Sequence, residues 1–325
     1  MNESDLVDVA HAYYVRRETM TAIGRRLGVS RSTVSRMLDE ARSQGVVQIT
    51  VRSLGRAPAE LRRHLDRLGV TCHVVDVRPG AAPRARLEAV ARTAGHLVSS
   101  LMDDGHSLGI AWGTTTSAVV DHLQAKPLRE ATVVQLNGAA SSWSSGITYA
   151  GDILTRAAAA YDAHAHQFPT PAFFDDPEVR RLLWRETSVR RILELQRRLD
   201  VALFGVGSLT AELPSHVYAA HYLTDADLRE LREQEVVGDV CTVFVREDGT
   251  HADIALNERA SGPTPEQLRE LPRRVCAVSG PAKVPALVGV VRSRAITDLV
   301  VDTPTAAALV RHLDSHPRAA ARLTG

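Results

Sequence analysis

Two short helical segments joined by a glycine turn place the strongest constraint on the fold. The sequence predicts a helix over residues 21–27, a turn at Gly28, and a second helix that Ser30 caps and that runs to about residue 44. Glycine tolerates the positive φ of such a turn, and serine is a favourable N-cap. Residues 4–17 carry apolar side chains at helical spacing and predict a preceding amphipathic helix. The pattern is that of a helix-turn-helix unit.

Two helices that cross at a steep angle need a small residue where they touch, and Gly24 stands at that position. The apolar side chains predicted to fill the crevice between the helices are Ile23, Leu27, Val29, Val34, Met37 and Leu38. After Gly45, residues 46–52 alternate as a strand would, which predicts a β-wing.

The second helix keeps polar side chains on the face that is left open. Hydroxyl and guanidinium groups are suitable donors to base edges and phosphates in a major groove. The predicted DNA-contacting residues are Arg31, Ser32, Thr33, Ser35, Arg36 and Arg42.

The distribution of charge supports this assignment, although the whole chain of 325 residues has a net charge of only +1. Residues 1–100 carry 16 basic and 10 acidic side chains, whereas residues 101–325 carry 23 and 28. A basic front is therefore joined to an acidic body, and the basic residues suit a nucleic-acid partner. A helical hairpin with a solvated basic face is the alternative reading of the same residues.

The three predicted regions are a winged helix-turn-helix domain at 1–54, a connecting helix at 55–69, and an effector-binding and oligomerisation domain at 70–325. Leu61, Leu65 and Leu68 form one stripe of the connecting helix, which is a connector or a coiled-coil-like dimer contact. A regulator that reads a two-fold symmetric site has to dimerise, so a homodimer or homotetramer is expected.

The body alternates short apolar strands with helices, which predicts an α/β fold with a parallel sheet covered on both faces. Ligands of such sheets bind at the carboxyl ends of the strands. The three cysteines, Cys72, Cys241 and Cys276, lie in apolar runs and are predicted to be reduced thiols on buried strands. No signal peptide or membrane span is evident, so a cytoplasmic protein is expected.

Four loops of the body carry groups suited to an anionic ligand. Lys283 is the most informative, because the chain has only two lysines beside 37 arginines and this one opens a predicted helix. The threonines after Gly113 and the glycines after residue 204 could form anion-binding nests. The predicted effector-binding residues are Gly113, Thr114, Thr115, Thr116, Gly205, Gly207, Ser208, Asp239, Asn257, Arg259 and Lys283.

Taken together, these segments resemble the SorC family of sugar-binding transcriptional regulators along essentially the whole chain. The resemblance rests on the helix-turn-helix segment TAIGRRLGVSRSTVSRMLDEARSQGVVQI and on LGIAWGTT, VVQLNGA, VALFGVGS, VVGDV, LNER and SGPAK. It implies an effector domain related to the sugar-phosphate isomerase and CoA-transferase fold, and a sugar or phosphorylated sugar that alters binding to operator DNA. It further implies that the phosphate-binding loop is residues 113–116. Pro281 departs from the family's Gly-Gly before the lysine loop and removes one N–H there.

An enzyme is the competing hypothesis, because the same fold class includes sugar-phosphate isomerases. Asp239, Glu258 and Lys283 would then serve as base, acid and electrostatic clamp. No metal or cofactor is expected, since His164 and His166 lack the further ligands of a metal site. Trp112 is expected in the core, and Trp143 lies in a segment that is either a lid or a surface loop.

Overall fold

The computed structural model describes residues 3–44, 46–47, 54–55, 58–141, 146–212, 215–219 and 222–315. The chain divides into two compact units, Met1–Arg52 and Ser53–Gly325, which are called the first unit and the second unit below. No helix in the described ranges is long and apolar enough to cross a membrane.

The described residues of the first unit form three α-helices: α1 (Glu3–Ala10), α2 (Met20–Leu27) and α3 (Arg31–Ser43). A π-helical segment, His11–Val15, continues α1. Gly28 ends α2 in the left-handed region at a φ of 71°, and the Ser30 side chain accepts a hydrogen bond from the Thr33 N–H at the start of α3. The helix-turn-helix pattern is therefore confirmed, down to the turn glycine and the cap.

The crevice of the helix-turn-helix is filled by fewer side chains than predicted. Ile23 and Leu38 are buried, and a Cβ on Gly24 would lie 2.7 Å from the Val29 carbonyl oxygen, which explains the glycine. Leu27 and Val29 are 39% and 37% exposed, so the prediction that they fill the crevice is wrong. Both flank the turn, where the chain reverses on the outside of the helix pair. The predicted wing lies mostly outside the described residues and stays a prediction.

The second unit is built on an eight-stranded sheet with the order β1-β2-β11-β10-β6-β3-β4-β5. All its strands run parallel except β1, which pairs antiparallel with β2. The strands of this sheet are β1 (Leu54–Gly55), β2 (Thr71–Val75), β3 (Ser107–Ile110), β4 (Thr132–Gln135), β5 (His164–His166), β6 (Val201–Gly205), β10 (Arg273–Val278) and β11 (Asp298–Asp302).

Helices cover both faces of this sheet, as predicted. Val133 and Val134 are neighbours on β4, yet they are fully buried in two different core clusters, one on each face. The helices of the second unit are α4 (Ala59–Asp66), α5 (Pro83–Leu101), α6 (Thr114–Val120), α7 (Gly146–Tyr161), α8 (Pro177–Leu183), α9 (Thr187–Gln196), α10 (His216–Ala219), α11 (Asp225–Glu233), α12 (Pro265–Arg269), α13 (Val284–Arg292) and α14 (Thr303–Ser315).

The leucine stripe of the predicted connecting helix belongs to the core of the second unit. Leu61 and Leu65 lie on α4 and are fully buried in the cluster that also contains Leu309 and Leu313 of α14. Because these side chains already pack within their own chain, the stripe is not free to form a coiled-coil-like dimer contact.

A second, three-stranded antiparallel sheet consists of β7 (Gly207–Ser208), β8 (Val236–Val240) and β9 (Val243–Arg246). The expectation that Cys241 lies on a buried strand is wrong, and the apolar run that follows it forms β9 of this antiparallel sheet and no strand of the parallel one. The chain instead forms a hairpin whose two-residue turn, Cys241 and Thr242, has φ values of 50° and 70°. Such turns are typically built from Asn-Gly, so the sequence carries no turn signal here. Cys72 and Cys276 do lie on strands, whereas Cys241 lies in this turn.

Candidate effector cleft and DNA-reading helix

A cleft with an open volume of about 680 Å³ lies at the carboxyl ends of the central parallel strands. The strand order reverses between β3 and β6, because the chain proceeds from β3 to β4 and β5 on one side and from β6 to β10 and β11 on the other. Such a switch point leaves an opening between loops that turn to opposite faces of the sheet. Most of the predicted effector residues line the opening, namely Gly113, Thr114, Thr115, Thr116, Gly205, Gly207, Asp239 and Lys283.

Lys283 supplies a buried positive charge to the cleft. It ends a 3₁₀ turn between β10 and α13, and the residue is only 8% exposed. Burial lowers the pKa of its ammonium group, while Cys276 and Asp239 oppose that change. The ammonium group forms no hydrogen bond or ion pair with any described residue. A buried cation that lines a cleft and has no hydrogen-bond partner in the described part of the chain is well placed to bind an anion.

Asp239 lies on β8 with both carboxylate oxygens occupied. The Tyr218 hydroxyl donates to Oδ1 at 2.8 Å, and the Thr242 backbone N–H donates to Oδ2 at 3.1 Å. Burial raises the pKa of Asp239 to about 6, although both hydrogen bonds and the charge of Lys283 act in the opposite direction. A Cβ on Gly207 would lie 1.9 Å from Oδ1, so only glycine fits beside this carboxylate.

The threonine loop opens α6 directly after β3. The Thr116 hydroxyl donates to the Gly113 carbonyl oxygen at 3.0 Å and fixes the first turn. Thr115 is buried beside Gly205, where an added Cβ would lie 3.4 Å from the Thr115 Cβ. An added Cβ at 205 would thus make only an ordinary van der Waals contact, and the loops after β3 and β6 lie side by side in the lining of the cleft.

Asn137 and His216 line the cleft but were not singled out from the sequence. Asn137 follows β4 and is 1% exposed, and its buried Oδ1 has no hydrogen-bond partner among the residues that the structure describes. The His216 ring stacks on Tyr149 with centroids 4.7 Å apart, and burial lowers the pKa of the imidazole. Asn137 lies in the segment VVQLNGA, which is one of the segments that resemble the family. The spacing of residues alone does not indicate a role for Asn137.

Trp112 is buried, as expected, and also lines the cleft. Its Nε1 donates to the Gly138 carbonyl oxygen at 2.8 Å, and its ring lies 5.2 Å from that of Tyr222. Trp143 lies outside the described residues.

Asn257 and Arg259 do not line the cleft, contrary to the prediction. The Asn257 amide donates to the carbonyl oxygens of Phe244 and His251, at 2.9 Å each. Arg259 forms an ion pair with Asp227 at 2.8 Å. The Asn257 amide and the Arg259 guanidinium group are therefore engaged in contacts that fix neighbouring loops.

Ser208 is buried on β7 and also lies outside the cleft lining, with its hydroxyl 3.2 Å from that of Thr210. Glu258, the acid of the enzyme hypothesis, forms an ion pair with Arg181 at 3.1 Å on the surface and does not line the cleft. The base, acid and clamp of that hypothesis are therefore not assembled in one place.

The polar groups of the loop before Lys283 form hydrogen bonds with other residues of the second unit. The Ser279 hydroxyl and the Gly280 N–H donate to Asp302 Oδ2 at 2.8 and 3.2 Å, and the Gly280 N–H also donates to the Thr305 hydroxyl at 2.9 Å. With that N–H engaged and Pro281 lacking one, the loop offers a ligand mainly the Lys283 side chain.

In the first unit, Arg31, Ser32 and Arg36 are exposed on α3, and Thr33 and Ser35 are half-buried. Arg42 is exposed near the end of α3 and forms an ion pair with Asp39 at 2.6 Å. The first two turns of α3 thus present donors without acidic side chains among them, which suits contact with DNA.

Comparison with known proteins gives a consistent result. The sequence profile of a family described as "Putative sugar-binding domain" matches residues 59–311. The deoxyribonucleoside regulator of Bacillus subtilis is 29% identical over 316 residues, which is 94% of this chain and 97% of that protein. The sorbitol operon regulator of Klebsiella pneumoniae is 27% identical over 308 residues, with the same two shares.

Solved structures agree with these sequence matches. The full-length sorbitol operon regulator SorC from Klebsiella pneumoniae has a TM-score of 0.77 at 25% identity and covers 95% of this chain and 99% of its own. A domain of "a possible sugar-binding transcriptional regulator" from Arthrobacter aurescens has a TM-score of 0.73 at 44% identity, covering 80% of this chain and 100% of its own.

Proposed function

The chain belongs to the SorC family of sugar-binding transcriptional regulators, and on this premise we propose how its two units divide the work. The first unit binds operator DNA through α3. The second unit binds a sugar or sugar-phosphate effector in the cleft, and effector binding changes the affinity for DNA. The genes under control then serve the catabolism of a carbohydrate or polyol.

The observation that carries this proposal is the buried ammonium group of Lys283, which no described residue engages in a hydrogen bond, in a cleft that also presents hydroxyl and amide groups. An anionic sugar derivative supplies a counterion for the ammonium group and donors for the buried Asn137 oxygen. Binding accounts for this arrangement without a chemical step, so a regulatory role is favoured over catalysis. The relatives are likewise named as transcriptional regulators.

Effector binding acts on DNA affinity through a shift between conformations or assemblies. The effector has to prefer one of them, and a difference of about 1–3 kcal/mol is typical of such coupling. A symmetric operator requires two reading helices about one turn of DNA apart, roughly 34 Å, so the active species is a homodimer or homotetramer.

The test is a DNA-binding titration with and without effector. Genomic fragments that the purified protein retains are sequenced to define the operator, and its affinity is measured by fluorescence anisotropy in the presence of free sugars, polyols and sugar phosphates. We expect at least one compound to change the affinity five- to 150-fold, in proportion to that coupling. An affinity that no compound alters would contradict the proposal.

Two variants assign the activities to the two units. Arg36→Ala should weaken operator binding while leaving effector binding intact, and Lys283→Met should do the reverse. Loss of both activities in either variant would indicate that the division of work is wrong.

A further inference from the structure

We propose that the second unit holds a second small-molecule site, separate from the cleft that Lys283 lines, which takes an aromatic carboxylate that also carries a hydrogen-bond donor. This site, called the second pocket below, is lined by residues of α9, of α12 and of the segments that follow β4, α8 and α12. Its open volume of about 510 Å³ suits a ligand with one or two rings.

The walls of the second pocket are mostly apolar, and the largest of them is the ring of Trp184. Phe168 and Phe174 hold this ring edge-on, with centroids 5.6 and 5.4 Å from its own, and the Arg180 guanidinium group lies 5.7 Å from its centroid. An aromatic wall that is fixed in this way can pack against a flat ligand ring without rearrangement. The other apolar side chains of the lining are Leu136, Leu193, Pro263 and Leu271.

Gln196 supplies an acceptor to the second pocket, although the residue is only 8% exposed. Its Nε2 donates to the carbonyl oxygens of Gln135 and Leu136 at 2.7 and 3.0 Å. Because carbonyl oxygens can only accept, these two bonds fix which end of the amide is the nitrogen. The remaining Oε1 has no hydrogen-bond partner among the described residues. A hydroxyl group of a ligand can donate to it.

Arg197 gives the second pocket a positive charge. It is exposed at the carboxyl end of α9, and its guanidinium group forms no hydrogen bond or ion pair within the described part of the chain. The described lining residues include neither aspartate nor glutamate. A carboxylate matches a guanidinium group with two parallel hydrogen bonds, so the charged end of the ligand is an organic acid.

The second pocket and the cleft share the residues that follow β4. Leu136 lines the second pocket, whereas its neighbour Asn137 lines the cleft. Gln196 holds the backbone before Asn137, and the Ser261 hydroxyl holds the backbone after it by accepting from the Gly138 N–H at 2.9 Å. Both Gln196 and Ser261 line the second pocket. A ligand that orders them therefore also orders Asn137, and the cleft then binds its own ligand with a smaller loss of conformational entropy.

The test uses isothermal titration calorimetry on the full-length protein with three matched probes: 4-hydroxyphenylacetate, phenylacetate and 4-hydroxyphenylacetamide. Phenylacetate lacks the donor for Gln196 Oε1 and should bind about tenfold more weakly than 4-hydroxyphenylacetate. The amide lacks the charge that pairs with Arg197 and should bind severalfold more weakly. Equal affinities for the three compounds, or no binding of 4-hydroxyphenylacetate, would overturn the inference.

Two neighbouring arginines provide a matched pair of variants. Arg197→Gln should abolish the preference for the carboxylate over the amide, because the cation of the second pocket is removed. Arg198→Gln should keep this preference, since Arg198 is equally exposed but does not line the second pocket. A preference that survives in Arg197→Gln and disappears in Lys283→Met would place the carboxylate in the cleft and overturn the inference.

The coupling is tested with inorganic phosphate as the probe of the cleft. Phosphate should bind at least about fivefold more tightly when 4-hydroxyphenylacetate is saturating, and Arg197→Gln should reduce this gain. A phosphate affinity that the carboxylate leaves unchanged or lowers would overturn the coupling. Only the coupling rests on the proposed function. Binding to the second pocket is measured without phosphate or DNA, so either result can fail while the other stands.

Discussion

Replacing Asp239 by asparagine should stabilise the second unit at neutral pH and have little or the opposite effect in acid. Burial raises the pKa of this carboxyl group from 3.8 to about 6, so the folded state holds the proton more tightly than the unfolded state. Below pH 3.8 the carboxyl group is protonated in both the folded and the unfolded state, and the free energy of unfolding has its full value. It falls as the pH rises through 6, because the folded state then has to hold a buried charge. The free energy of unfolding falls by about 3 kcal/mol in all, and about 2 kcal/mol of this decrease occurs between pH 4.5 and 7.5.

Asparagine removes this loss and keeps part of the hydrogen bonding. Its Oδ1 can still accept from the Tyr218 hydroxyl, but the acceptor for the Thr242 N–H is lost, which costs about 1–2 kcal/mol at any pH. The variant should therefore be about 1–2 kcal/mol more stable than the wild type at pH 7.5. At pH 4.5 it should be equal or slightly less stable.

The assay is urea unfolding followed by tryptophan fluorescence at several pH values. Every tryptophan of the sequence lies beyond residue 100, so the signal reports on the second unit. Asn137→Ala is the control, because it alters the same cleft without removing a titratable group. A difference between Asp239→Asn and wild type that stays constant from pH 4.5 to 7.5 would refute the reasoning.

Three further predictions follow from the same structure. Lys283→Met should raise the pKa of Asp239 further, because the attraction of the ammonium group for the carboxylate is removed, and an NMR titration of the Asp239 carboxyl group measures it; an unchanged or lower pKa would contradict this. Sulfate should bind severalfold more tightly at pH 5 than at pH 7.5, since protonation of Asp239 leaves the charge of Lys283 unopposed. Calorimetry on Asp239→Asn tests this, because the variant should lose most of the pH dependence and keep only the part due to His216 in the same cleft. Gly24→Ala should reduce the operator affinity and the hydrogen-exchange protection of α3, because the alanine Cβ would lie 2.7 Å from the Val29 carbonyl oxygen. Unchanged protection of α3 would refute the packing argument.

Features that depend on local chemistry could be predicted from the sequence. The turn at Gly28, the cap at Ser30 and the alternation of strands and helices are all set by residues close in the chain, and the structure agrees with them. The predicted loops after β3, β6 and β10 meet because parallel strands bring their carboxyl ends to one edge.

Features that depend on partners distant in sequence could not be predicted. Arg259 has the chemistry of an anion-binding group, but Asp227 neutralises it, and that pairing is visible only in three dimensions. Asn137 is the converse case, since its importance comes from the absence of a partner for its Oδ1 among the described residues. The hairpin turn at Cys241 could not be predicted, because cysteine and threonine lack the preference for positive φ of the residues usual in such turns.

The order of strands in the large sheet has a consequence for synthesis on the ribosome. β2 is made early, yet its parallel neighbour is β11, and β10 and β11 together separate it from β6. Until residue 302 has emerged, the two portions of the sheet have no strand to join them, and the loop before Lys283 lacks Asp302, which accepts its hydrogen bonds. Pairing across more than 220 residues makes this closure a late and slow step, and the nascent chain should expose unpaired strand edges to chaperones in the meantime.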